Sequence, residues 1–130
     1  MTFNELVINV DYVRGFDDIF TDYLDADIHN LKRETSIQEL AFDVSSSLGF
    51  QVDDTTTLNT YATAYEGQLS KALMWLQLYY FYANLTLDKE SAVYIRMLDC
   101  QKKYEAIKNR FSQMVLDDGV SSKSIRIIRG

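Results

Sequence analysis

From Leu58 to Met114, apolar residues of this chain recur at steps of three or four, and no proline interrupts them. The first run is Leu58, Tyr61, Tyr65, Leu69, Ala72, Leu76, Tyr79 and Ala83; the second is Val93, Met97, Cys100, Tyr104, Ile107, Phe111 and Met114. Steps of this size put each run on one face of a helix. The spacing predicts two helices of roughly 28 to 30 residues, about 40 to 45 Å long at the standard helical rise. Between them, Asn84-Leu85-Thr86-Leu87-Asp88 is a short polar turn in which Asp88 serves as N-cap and Glu90 supports the first turn beyond it. So short a connection makes the helices antiparallel neighbours, an αα-hairpin over about residues 55–118.

The rest of the chain reads as shorter elements around that hairpin. Phe3–Val10 alternates polar with β-branched or aromatic residues and predicts a short strand or extended arm. Phe16, Ile19, Phe20, Tyr23 and Leu24 have helical spacing behind Asp17 and Asp18, which suit the positive end of a helix dipole. Thr35 or Ser36, with Glu39 three residues beyond Ser36, has the form of a capping box. It predicts a helix carrying Leu40, Ala41, Val44 and Leu48 that ends at Gly49. Asp54 or Thr55 is the predicted N-cap of the first long helix. Asp117-Asp118-Gly119 closes the hairpin, and residues 121–130 resume an extended pattern. The expected class is all-α: one helical domain over residues 1–120 and an extended C-terminal arm over 121–130. The extended ends are expected to pair with each other or to add to a neighbour's sheet edge.

Charge is distributed unevenly. Residues 1–54 hold twelve acids against three bases, the two long helices are near neutral, and the last ten residues carry Lys123, Arg126 and Arg129 with no acid. Such polarity suits contact between copies, or between this chain and other components. The acidic front argues against general nucleic-acid binding, which needs clustered Lys and Arg. The opening residues carry no positive charge, so no signal peptide is expected, and the longest apolar run, near Ala72–Ala83, is too short and too tyrosine-rich for a membrane span. The expectation is an intracellular, soluble chain with no membrane partner.

Catalytic chemistry finds little purchase. There is no glycine-flanked serine elbow, no glycine-rich phosphate loop, and no histidine other than His29. His29 could join Asp22, Asp25 or Asp27 around a metal, but that run lacks the glycine and closing glutamate of a calcium loop and has no second histidine or cysteine cluster for zinc. No catalytic, cofactor or metal residue is assigned, and the chain is read as a non-enzyme. Cys100 lies on the apolar stripe and reads as a small core hydrophobe. The aromatic group Trp75, Tyr79, Tyr80, Phe81 and Tyr82 surrounds its helix, so that helix should be covered on every side. Its cover is either the chain's own helices or, at Tyr80, Phe81 and Tyr82, an adjacent subunit.

The stretch Ala72-Leu73-Met74-Trp75-Leu76-Gln77-Leu78-Tyr79-Tyr80, the polar turn to Asp88, Asp99-Cys100-Gln101-Lys102-Lys103-Tyr104-Glu105-Ala106-Ile107 and the extended C-terminal arm resemble the head–tail connector, or adaptor, proteins of tailed bacteriophages. The likeness is one of pattern over roughly residues 36–130. The first 35 residues depart from it, which leaves open a related neck, stopper or tail-completion role. The resemblance implies a structural subunit of the virion neck, made in the host cytoplasm, which forms a ring with copies of itself at the portal–tail junction. Its partners would be the portal and the tail or neck proteins, with DNA passing through an acidic conduit without specific binding. Docking would use Lys123, Ile125, Arg126, Ile127, Ile128 and Arg129, and lateral contact Tyr80, Phe81 and Tyr82. The alternative reading is a soluble helical interaction or regulatory protein that binds a partner by its tail; a small metal-dependent enzyme built on His29 is a weaker third.

Overall fold

A computed structural model describes residues 1–8, 32–85 and 92–116. Among them are four helices and no strand: α1 (Arg33–Leu48), α2 (Thr55–Ala64), α3 (Glu66–Leu85) and α4 (Ala92–Lys108), with 3-10 turns at Phe3–Glu5 and Phe111–Gln113. The described chain is therefore all-helical, as its periodicity predicts.

Several boundaries follow directly from local chemistry. Gly49 ends α1 in the left-handed region at φ 79°, where its N–H donates to the Ser45 carbonyl at 2.8 Å. Asp54 caps α2, its carboxylate accepting from the Thr57 N–H at 3.2 Å and from the Thr57 hydroxyl at 2.7 Å. Those two bonds hold the Asp54 carboxyl below its ordinary range, because they favour the charged form.

Other boundaries differ from the sequence expectation. Helix α1 begins at Arg33 and not at Ser36, with Lys32 in the left-handed region at φ 52°. The Ser36 hydroxyl points backward and donates to the Lys32 carbonyl at 2.7 Å, so it is a buried residue of the first turn and no N-cap. The opening segment is not a strand over its described part. The Thr2 N–H donates to the Glu5 carboxylate at 2.6 Å and the Glu5 N–H to the Thr2 carbonyl at 3.0 Å, which curls the chain into a 3-10 turn. Phe3, Leu6 and Ile8 are then buried in the core. The turn at 86–91, the predicted helix near 16–24, His29, and the arm at 121–130 lie outside the described residues.

The first long helix is interrupted. Helix α2 stops at Ala64, Tyr65 leaves the helical region at φ −124°, ψ 36°, and α3 starts at Glu66. The second stripe is also divided, since α4 ends at Lys108 and Phe111 sits in the following 3-10 turn. Every residue of that stripe nevertheless reaches the core: Cys100, Tyr104, Phe111 and Met114 are buried, and Val93, Met97 and Ile107 pack against them.

Helix α3 is the centre of the bundle. All seven residues from Ala72 to Leu78 are buried, which is almost two turns and covers the helix on every side. Helices α1, α2 and α4 all pack on it, α4 most extensively. The beginning of α3 lies beside the end of α4, where Lys103 Nζ stands 5.4 Å from the centroid of the Trp75 ring. Among the described residues, no helix is long and apolar enough to cross a membrane.

Candidate functional site

Helix α2 meets the opening segment of the chain, and the Val115–Leu116 segment lies close by. On its Asn59/Thr63 face, one turn apart, the Phe3 N–H donates to Asn59 Oδ1 at 2.8 Å and the Met1 ammonium to Thr63 Oγ1 at 3.3 Å. Arg33 at the start of α1 secures the same opening segment, donating to the Asn4 carbonyl at 2.7 Å and the Leu6 carbonyl at 2.5 Å. Partial burial lowers the pKa of that guanidinium from its usual value. An open cavity of about 610 Å³ separates Met1 from Leu116 across Asn59 and Thr63.

The exit of the described chain is held at the same place by Tyr65. Its hydroxyl donates to the Val115 carbonyl and accepts from the Val115 N–H, both at 2.8 Å. Its ring stacks on Tyr61 with centroids 6.3 Å apart, and Tyr61 in turn stacks on Phe50 at 5.9 Å. At the break between α2 and α3, with Gly67 two residues beyond it, Tyr65 makes both the two-point bond to Val115 and the aromatic stack. Leu116, one residue beyond this clamp, is the last described residue before the predicted docking residues Lys123, Ile125, Arg126, Ile127, Ile128 and Arg129, which lie outside the described residues.

Replacing Tyr65 with phenylalanine removes both bonds and keeps the stacked ring. Because the bonds are exposed, the loss to global stability should be no more than about 1 kcal/mol. Amide hydrogen exchange at Val115 should accelerate at least about tenfold, since its N–H then relies on water. Unchanged protection at Val115 would show that the clamp does not hold the exit.

A second polar assembly joins three helices. On α1, Glu39 and Asp43 lie one turn apart; the Tyr80 hydroxyl of α3 donates to Glu39, and the Tyr104 hydroxyl of α4 donates to Asp43 Oδ2 at 2.5 Å. Lys108 Nζ stands 3.9 Å from the other Asp43 oxygen. Burial, and after it the bond to a carboxylate, raises the pKa of both phenols well above the ordinary tyrosine value, so both stay protonated and act as donors. With Tyr104 only 3% exposed, the Tyr104–Asp43 pair is closed to a substrate and works as a clasp.

The aromatic residues assigned to lateral contact divide by burial. Tyr82 is 0% and Phe81 8% exposed within the single chain, whereas Tyr80 is half-buried and committed to Glu39. Cys100 is a free, buried thiol. Among the described residues, no group of three His, Cys, Asp or Glu side chains could hold a metal ion; His29 lies outside them. Sequence reading missed the roles of Tyr65, Asn59, Thr63 and Arg33. Tyr65 was legible only as a member of the apolar stripe, and the i, i+4 spacing of Asn59 and Thr63 only as a polar face.

No family model, no curated protein and no solved structure matches this chain. Function therefore has to be argued from the geometry itself.

Proposed function

We propose that this chain is a structural subunit of a tailed-phage neck: a connector or adaptor that forms a ring with its own copies at the portal–tail junction. Helices α2–α4 and the turn after them form the rod, an antiparallel hairpin over about residues 55–118, and residues 121–130 are an extended arm that docks onto the portal or a neck component. The observation that carries this reading is the Tyr65–Val115 clamp beside α2. Two hydrogen bonds to one residue give the segment that leads toward the arm a defined position on the bundle. A core filled by the chain's own helices agrees with a role as a mechanical part.

Electron microscopy of the protein co-expressed with its neighbouring gene products tests this directly. The expected image is a closed symmetric ring with the C-terminal arm embedded in a second component. A discrete monomer or dimer, with the partner present and nothing larger, would replace this reading with a regulatory protein that binds by its tail. Deleting residues 121–130 should leave the thermal midpoint within about 2 °C while abolishing docking, the result expected of an arm that takes no part in the fold. A fall of more than about 10 °C would make the arm part of the core.

A further inference from the structure

The start of α3 and the end of α4 enclose a groove of about 530 Å³ lined by Gly67, Lys71, Trp75, Lys103, Ile107 and Arg110, among others, with no acid among the described residues of its lining. Positions 67, 71 and 75 form one stripe of α3, and positions 103, 107 and 110 one stripe of α4. The two stripes face each other for about 12 Å at the helical rise. Trp75 forms the floor and is only 3% exposed, with Lys103 above its ring. Lys71, Lys103 and Arg110 are exposed along the walls. At Gly67 an added Cβ would meet nothing within 4 Å, so that end is open.

We infer that this groove is the docking site for the acidic stretch Asp11–Asp27 of a second copy of the chain. The inference rests on the self-assembly part of the proposed function and names the surfaces it would use. Asp11, Asp17, Asp18, Asp22, Asp25 and Asp27 are interleaved with Phe16, Ile19, Phe20, Tyr23 and Leu24, and Arg14 is the one base among them. A run of carboxylates is what three cations lining one groove recognise. A ring requires two different faces of the same chain to be complementary, and a basic groove with an acidic segment supplies such a pair. Nucleic acid is a poorer fit, because three cations are few for a phosphate backbone on a chain of net charge −6.

Trp75 is the only tryptophan, so emission excited beyond the tyrosine absorption band reports on the groove floor alone. A synthetic peptide of residues 11–27, titrated into the full chain at low salt, should give a saturable change in Trp75 emission. The change should weaken at least about tenfold in 0.5 M salt and in the charge reversal Lys71→Glu/Lys103→Glu/Arg110→Glu. The milder Lys71→Gln/Arg110→Gln, which leaves the Lys103–Trp75 contact in place, should show an intermediate loss. That gradation guards against misfolding of the triple variant. In sedimentation, the triple reversal should fail to associate with itself and should recover association with a chain carrying Asp17→Lys/Asp18→Lys/Asp22→Lys.

An unresponsive Trp75, or equal binding by the reversed groove, overturns the inference even if rings form by other contacts. Peptide binding that appears only once Asp17, Asp18 and Asp22 of the full chain are reversed places the chain's own segment in the groove, and also overturns it. So does a single-stranded oligonucleotide that binds the groove more tightly than the peptide. Peptide binding and charge-swap pairing without any ring sustain the groove while removing the connector reading.

Discussion

Alanine at Tyr82 should destabilise the isolated chain by about 4 kcal/mol, the range for truncating a fully buried aromatic side chain. Tyr82 is 0% exposed and is the largest of the fully buried side chains among the described residues, with its ring edge-to-face on Phe81 at 5.5 Å. Removing it leaves a cavity at the C-terminal part of α3, where the helix is wrapped by the chain itself. Domains of this size have total stabilities of about 5–15 kcal/mol, so the variant should lose about a quarter or more of its stability. Urea unfolding of the monomer, at a concentration too low for association, is the appropriate measurement. A monomer that unfolds like the parent while losing assembly would return Tyr82 to the role of a lateral contact between subunits. Tyr80→Phe provides the comparison: it removes only the donor to Glu39 at a half-buried position, and its loss should be much smaller.

The second large effect is expected at Tyr104. Phenylalanine there leaves the buried Asp43 carboxylate without its 2.5 Å donor, with Lys108 at 3.9 Å on the other oxygen. The expected loss is about 2 kcal/mol at neutral pH, the range for depriving a buried polar group of its partner. The same phenol, raised first by burial and then by its bond to Asp43, sets a pH dependence. The folded chain holds the Tyr104 phenol protonated well above the value of 10.0 that the unfolded chain would show. Its contribution to stability is therefore fully present below pH 10, and it is lost as pH rises from there toward the higher folded-state value. Above pH 10 the unfolded state releases a proton that the folded state keeps, and stability should fall by about 1.4 kcal/mol per pH unit for this group. Tyr80 acts in the same direction. Urea unfolding at a series of pH values from 8 to 11 should show a shallower alkaline decline in Tyr104→Phe than in the parent. Parallel declines would mean that the folded chain does not hold the Tyr104 phenol above its ordinary value.

Much of the helical architecture was legible in the chain because it depends on near neighbours. Seven apolar-rich positions in succession, Ala72–Leu78, admit no exposed side, and all seven are buried. Gly49 is the residue that tolerates a positive φ after Leu48, and Asp54 is a short side chain placed to meet the N–H of Thr57. The place of Cys100 followed from the i, i+3, i+4 repeat of its stripe, and it is buried.

Tertiary structure decided the rest, and in each case through groups distant in sequence. The apolar stripe runs on through Tyr65, where the helix is interrupted, and the Tyr65 hydroxyl meets Val115, 50 residues away. Asp43 belongs to the acidic half that reads as a solvated face, yet it is buried because Tyr104, 61 residues on, supplies a donor. The opening alternation reads as a strand, but a strand needs a partner, and a core that takes Phe3, Leu6 and Ile8 is satisfied by a turn. Periodicity and caps act within a few residues and so specify helices. Where those helices stop, which polar side chains go inside and which surfaces remain for a partner depend on long-range contacts that form only when the bundle closes.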